Sequence, residues 1–377
     1  MINRKAIGYI TANYTCHTSS KLTECRPLAA LPIFGRYRLI DFPLSNMMNA
    51  GIKTVGVVMP SNYRSLIDHM ESGRDWMLDR KKGGLFLLPG SAFGTSKRGM
   101  RFLLRDIIAN KTLFQRSDLP YVVMCGCNII FNIDLAEIIN AHERSGARAT
   151  MVYCRAEREH DDDVTALEIG EAGRVHALRA GCSFGDNKFL DCCVINRDVL
   201  LDIIDNYQDV DHLDLFEAIE PEFGRIDVCS YEFKGLALGV FDEQSYYQRS
   251  MEVLRPDLND RLFNPDRPIM TKAHDAPPAK YCTGSTVCNS LVSAGCLIQG
   301  TVRGSILARD VIVEHGASVS NSIIMQSCVI RSGARVENAI VDKNNVIPAQ
   351  TELRGTPDVT LIIPKAPLAT KELATLD

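Results

Sequence analysis

The sequence predicts two units in series: a mostly parallel α/β sheet covered by helices on both faces, and then a parallel β-helix. Three observations predict this. Short apolar strands alternate with amphipathic helices through residues 1–250, the texture becomes proline-rich over 251–282, and from 283 to 377 the chain repeats itself.

In the first unit the expected strands are Ala6 to Ile10, Thr54 to Met59, Tyr121 to Cys125, Ala149 to Cys154, Leu190 to Val194 and Val228 to Phe233. Helical patterns lie between them at Leu44 to Ala50, Ser65 to Met70, Arg101 to Ile108, Leu135 to Ser145, Val199 to Asn206 and Leu213 to Ile219. Strand and helix at this rhythm read as a parallel sheet, whose ligands sit beyond the carboxyl ends of the strands. The stretch 251–282 holds Pro256, Pro265, Pro268, Pro277 and Pro278 among Asp and Asn, which reads as a rigid linker wrapping over the surface.

The tail carries two periods. Gly304-Ser-Ile-Leu, Asn321-Ser-Ile-Ile and Asn338-Ala-Ile-Val recur every 17 residues, and Val313/Val319, Ile330/Val336 and Ile347/Leu353 stand six apart. A six-residue apolar period with small residues at corners marks a β-helix of about three hexads per coil. Seventeen is one short of eighteen, so one corner is tightened. Asn289-Ser-Leu-Val, 15 residues ahead of the Gly304 quartet, is an irregular first coil.

The chain's 377 residues exceed what one core supports, in keeping with two domains. A balance of 42 Lys+Arg to 46 Asp+Glu gives a net charge of −4, which announces no nucleic-acid-binding surface. No apolar run reaches the roughly 20 residues of a membrane span, and the basic N-terminus turns polar at Thr11 and Asn13, too soon for a signal sequence. A cytoplasmic chain is expected, its thirteen cysteines reduced, irregularly spaced and without a zinc-site pattern.

Four stretches carry a resemblance: Phe34-Gly-Arg-Tyr-Arg-Leu-Ile-Asp-Phe-Pro-Leu-Ser-Asn46, Asn49-Ala-Gly-Ile52, Trp76-Met-Leu-Asp-Arg-Lys-Lys-Gly-Gly84 and Ile340-Val-Asp-Lys-Asn-Asn-Val-Ile-Pro348. Through nearly its whole length the chain resembles the bacterial glucose-1-phosphate adenylyltransferases, or ADP-glucose pyrophosphorylases. The resemblance implies a Rossmann-like (GT-A-like) nucleotidyltransferase domain followed by a left-handed β-helix. It also implies ATP, glucose 1-phosphate and magnesium as reactants and cofactor, and tetramers under metabolite control.

The departures from the family pattern fall on its chemistry. Where the family has a Gly-Gly-x-Gly-x-Arg loop for the triphosphate, this chain has Asn13, Tyr14, Cys16 and Thr18. A family lysine falls on Leu28, and the pair that grips the sugar phosphate has no counterpart around His176 to Ala180. The family's metal carboxylates, from Gly-Asp-His and Asp-Val-Gly-Thr, fall on Cys127 in Gly126-Cys-Asn128 and on Gly239 in Gly239-Val-Phe-Asp242. No catalytic or metal-binding residue is therefore assigned, and Mg and ATP are expected only if nucleotide binding persists. The pattern resembles the D-type regulatory subunit. The resemblance implies a hetero-oligomer with a catalytic ADP-glucose pyrophosphorylase subunit, a homo-oligomer being possible alone.

Arg26, Arg38 and Lys343 remain where the family binds anionic effectors, so a phosphorylated metabolite is an expected ligand. The competing reading makes Arg38 and Asp41 a structural pair and Lys343 a solvated corner residue. Met47 and Met48 read as core, and Asp161 to Asp163 as a charged loop tip. Two alternatives stay open. One is an active transferase with metal ligands rebuilt from Asp41, Asp134 or Asp242. The other is a binding or acyl-transfer function in the β-helix, against which His315 reads as an exposed corner residue.

Overall fold

The computed structural model describes residues 5–12, 20–91, 102–157, 160–207 and 214–366, with no side-chain description for 160–163. The first domain is built on a nine-stranded sheet. Strand Ala6–Thr11 lies parallel between Tyr121–Cys125 and Thr54–Met59, and Thr54–Met59 is followed by Gly84–Pro89 at the edge. Alternation along the first strand separates two cores. Ala6 and Ile10 join Val55, Val57, Trp76 and Ile138 on one face, while Ile7 and Tyr9 join Phe114, Leu200 and Ile204 on the other. Gly8 lets the helix Asp41–Asn49 approach, since a Cβ there would sit 2.9 Å from Met47 Sδ. Met47 is fully buried and Met48 packs against the same core, as expected.

The sheet is mixed rather than mostly parallel. Asn187–Asn196, which contains the expected strand Leu190 to Val194, runs antiparallel to both Tyr121–Cys125 and Ala149–Arg155. Two long strands absent from the sequence expectation, His160–Ile169 and Val175–Ser183, pair antiparallel with each other. For this pair the reason is connection length: the short link 170–174 leaves room for a hairpin and not for a crossover helix. Asp161 to Asp163 accordingly stand in a strand, with Asp161 opposite Cys182, and not on a loop tip.

The stretch 251–282 is not purely a wrapping connection. Pro256–Leu262 forms a helix, with Pro at its first turn, and buries Leu258 and Leu262. The remainder is tied down by Met270 N donating to Ser45 Oγ (2.8 Å) and Lys272 Nζ donating to the Asp68 carbonyl (2.7 Å). The β-helix begins at Lys280–Tyr281, which pairs with Leu297–Ile298 slightly ahead of residue 283.

The tail forms three five-stranded parallel sheets, each coil stacked on the next, in the left-handed β-helix that the resemblance implies. The repeat quartets begin at one corner. Asn289, Gly304, Asn321 and Asn338 all have left-handed backbone there, with φ between 43° and 53°, which selects Gly and Asn. The serine that follows supplies a hydroxyl ladder: Ser290, Ser305 and Ser322 each accept at 3.1 Å from the backbone N–H one coil on. A third core joins the domains, packing Phe42, Tyr246 and Leu262 against Ile306, Ile323 and Ile340 of the β-helix.

Candidate functional site

Ligand chemistry in this fold class is expected past the carboxyl end of the central strand Tyr121–Cys125. There the chain turns through Gly126-Cys127-Asn128 into a short antiparallel ladder, Ile129–Phe131 with Ala237–Gly239, in which Gly239 stands opposite Ile129. The turn is fixed by Gly126 N donating to the Asp191 carbonyl (2.8 Å), Asn128 Nδ2 donating to Asp191 Oδ2 (2.9 Å) and Val240 N donating to the Asn128 carbonyl (2.7 Å). Asp191 is a buried carboxylate that sequence reasoning missed. Its only signal is one charge inside the otherwise apolar run Phe189 to Ile195.

Cys127 is 2% exposed, and burial pushes its thiol far above the ordinary range. A Cβ on Gly239 would lie 2.4 Å from Cε2 of Phe241, so the ring fills the space that a side chain at 239 needs. Cys127 and Phe241 belong to one apolar cluster with Ala156, Cys182 and Leu190, and Lys188 Nζ stands 5.5 Å from the Phe241 ring centroid. Beside them opens a cavity of about 410 Å³, whose walls include Cys182, Lys188, Arg249 and Arg261. The two positions on which the resemblance would place metal carboxylates are thus a buried thiol, raised well above its ordinary range, and a glycine under a phenyl ring. Magnesium takes hard oxygen ligands, so these donors do not fit it.

The three aspartates that could rebuild a metal site are engaged elsewhere. Asp41 accepts from Arg38 N (2.9 Å) and meets His69 Nε2 (2.5 Å). Asp134 caps the helix Leu135–Ser145 by accepting from Ala136 N (3.0 Å) and Glu137 N (3.2 Å). Asp242 caps Glu243–Glu252, accepting from Ser245 N (2.6 Å) in a capping box. Among the described residues no cluster of three or more His, Cys, Asp or Glu side chains could hold a metal ion. Asn13, Tyr14, Cys16 and Thr18 lie outside the described residues. Leu28 is buried in the core between the domains, and His315 is exposed.

A second constellation lies where the β-helix meets the sheet domain. Arg26 is 4% exposed and ion-paired with Asp342, which is fully buried, while Arg26 Nε has no hydrogen-bond partner. Asp342 Oδ1 also accepts from Lys343 N (2.6 Å). Arg38 is half-buried and its guanidinium donates to the Ser65 carbonyl (2.5 Å). Lys343 is also half-buried. Burial first, then Arg38 and Arg26, push its ammonium down to about 7, against the pull of Asp342. The structure therefore brings Arg26, Arg38 and Lys343 together, and Lys343 is not a solvated corner residue. Asp342, their internal counter-charge, and Lys365, which also acts on Lys343, were not anticipated from the sequence. Asp342 is the direct chain neighbour of Lys343, and only its complete burial shows its role.

Two family models match the chain, Nucleotidyl transferase over residues 20–179 and GlmU-like, C-terminal hexapeptide over 277–357. The chain is 35% identical to Glycogen biosynthesis protein GlgD of Bacillus subtilis (strain 168), over 97% of each chain. It is 34% identical to the GlgD of Geobacillus stearothermophilus over 84% of each. A Glucose-1-phosphate adenylyltransferase of Thermosipho africanus (strain TCF52B) is 30% identical over 79% of this chain and 74% of its own. Fold, repeat and extent of identity agree, and the chain belongs to the family of GlgD and the glucose-1-phosphate adenylyltransferases.

Proposed function

We propose that this chain acts in glycogen biosynthesis as a catalytically silent regulatory subunit. It pairs with a catalytic homologue that makes ADP-glucose from ATP and glucose 1-phosphate. One observation carries the reading: Phe241 packs over Gly239, so the position matching a metal carboxylate is closed by a ring rather than merely vacated. A single lost ligand would leave room for repair. Here the thiol of Cys127 and the ring of Phe241 sit together in an apolar core, where a carboxylate pair would be buried at high cost. The engagement of Asp41, Asp134 and Asp242 weighs against an active transferase with a rebuilt metal site. No turnover step is assigned to this chain, through magnesium or otherwise.

Regulation acts through contact and through the anion cluster. Packing against the catalytic subunit biases that subunit's active conformation, and couplings of this kind are typically about 1–3 kcal/mol. Arg26, Arg38 and Lys343 supply the charge for a phosphorylated effector; the Lys343 ammonium is depressed first by burial and then by Arg38 and Arg26, and a bound anion would offset the second part. A cytoplasmic setting accords with the twelve described cysteines all being free thiols and with no described helix being long and apolar enough to cross a membrane. The test is reconstitution. The purified chain forms negligible ADP-glucose, and mixed with the catalytic homologue it co-elutes and changes that subunit's turnover or effector response. Unchanged kinetics with no co-elution rejects the proposal.

A further inference from the structure

The edge of the nine-stranded sheet carries a cleft on the face away from Cys127 and Phe241. Its last strand, Gly84–Pro89, runs beside Thr54–Met59 with Gly56 opposite Phe86 and Val58 opposite Leu88. Val55 and Val57 belong to the core that holds Cys127 and Phe241. Side chains alternate along a strand, so Thr54, Phe86 and Leu88 stand on the other face, where Leu88 and Leu113 pack against the second core. The helices Leu104–Ala109 and Lys111–Gln115 lie on that face. Leu88 and Leu113 close over Gly56, since a Cβ there would sit 2.6 Å from Leu88 Cδ1 and 2.7 Å from Leu113 Cδ2.

The two helices leave the last strand partly uncovered. Phe86 is 43% exposed, and a cavity of about 450 Å³ opens between strand and helices, with walls that include Thr54, Phe86, Leu88, Ala109, Leu113 and Arg116. Asn110 fixes its shape from the helix side. Its Nδ2 donates to the Pro89 carbonyl (2.9 Å) and to the Asp106 carbonyl (2.8 Å), which ties the helix junction to the end of the strand. Arg116 is the one charged residue among the walls, and no described residue forms an ion pair or a hydrogen bond with its guanidinium. An apolar floor thus adjoins a cation that has no carboxylate beside it in the cleft, and the complement of that pair is an apolar body with an anionic head.

We propose that this edge cleft binds a small amphipathic organic anion, its aromatic or aliphatic body against Phe86, Leu88 and Leu113 and its anionic head on Arg116. The volume lies within the range of roughly 300–1,000 Å³ typical of small-molecule sites. The site is distinct from the Arg26, Arg38 and Lys343 cluster, and it does not depend on the chain being a regulatory subunit. Burial of the body supplies the affinity, and the guanidinium selects the charge of the head.

Fluorescence titration of the full chain with two probes of similar shape tests it: anilinonaphthalene sulfonate, an aromatic anion, and the uncharged phenylnaphthylamine. Both bind the wild-type chain and brighten. Arg116→Gln weakens the sulfonate about tenfold, the size of one charge-assisted contact, and leaves the uncharged probe within about twofold. Ala109→Trp puts an indole into the cavity and abolishes binding of both. Ala109 and Arg116 are exposed, so neither change disturbs a core, and the two variants test the head and the body of the site independently. A wild-type chain that binds neither probe, an Ala109→Trp chain that titrates like wild type, or an Arg116→Gln chain that treats the two probes alike overturns the proposal.

Discussion

The ring of Phe241 occupies the space of residue 239's missing side chain, its Cε2 lying 2.4 Å from where the Cβ of that residue would be. Where the family motif reads Asp-Val-Gly-Thr this chain reads Gly239-Val-Phe-Asp242, so the bulk has moved two residues along and turned apolar. The fourth residue, Asp242, has become a helix cap. The two ends of this stretch thus serve packing and capping.

This exchange predicts how the site responds to repair. Gly239→Asp alone forces the ring aside and buries a carboxylate, costing about 1–3 kcal/mol of stability. Adding Phe241→Gly recovers part of that loss by clearing the space. Urea unfolding of the two variants measures it, and a single variant as stable as wild type contradicts the packing account.

Lys343 predicts a pH dependence of fixed sign. Its ammonium titrates near 7 in the folded chain and near its ordinary 10.5 when unfolded. Between those values the unfolded state holds the extra proton, so folding stability rises with pH across this window. Lys343→Met removes that contribution and flattens the profile. A phosphorylated anion favours the charged amine, so its binding takes up a proton and weakens as pH climbs above 7. Calorimetry in buffers of different ionisation enthalpy reads that uptake directly.

Arg26 and Asp342 form a buried pair across the domain junction. Asp342→Ala leaves the guanidinium buried and uncompensated, and removing one partner of such a pair costs about 3–5 kcal/mol. The double variant Arg26→Met with Asp342→Leu recovers most of that loss, because no charge stays stranded. Additive losses in denaturant unfolding would show that the pair is not coupled.

Thiol reactivity follows burial. Cys125 and Cys192 lie 3.5 Å apart, sulfur to sulfur, and both are fully buried, with the Cys125 thiol pushed well up by its partner and by burial. Among the twelve described cysteines only Cys25 and Cys288 are exposed, so of these twelve they react first with an aromatic disulfide in the folded chain. Mass mapping of the labelled sites checks the order. Early labelling of Cys125 would mean that the central strand opens.

The sequence by itself determined the β-helix, because its two periods are local: successive coils repeat a Gly or Asn corner, a serine rung in three of the four quartets, and inward aliphatics. Strand direction it did not determine. The residues of Leu190 to Val194 are apolar whichever way the strand runs, and the hairpin His160 to Ser183 carries too many charges for alternation to reveal it. Only the tertiary structure decided that Cys127 and Phe241 share one apolar core and that Arg26 meets Asp342, 316 residues away. Such contacts join side chains distant along the chain, and no local pattern records which of them will be pressed together when the sheet closes on the β-helix.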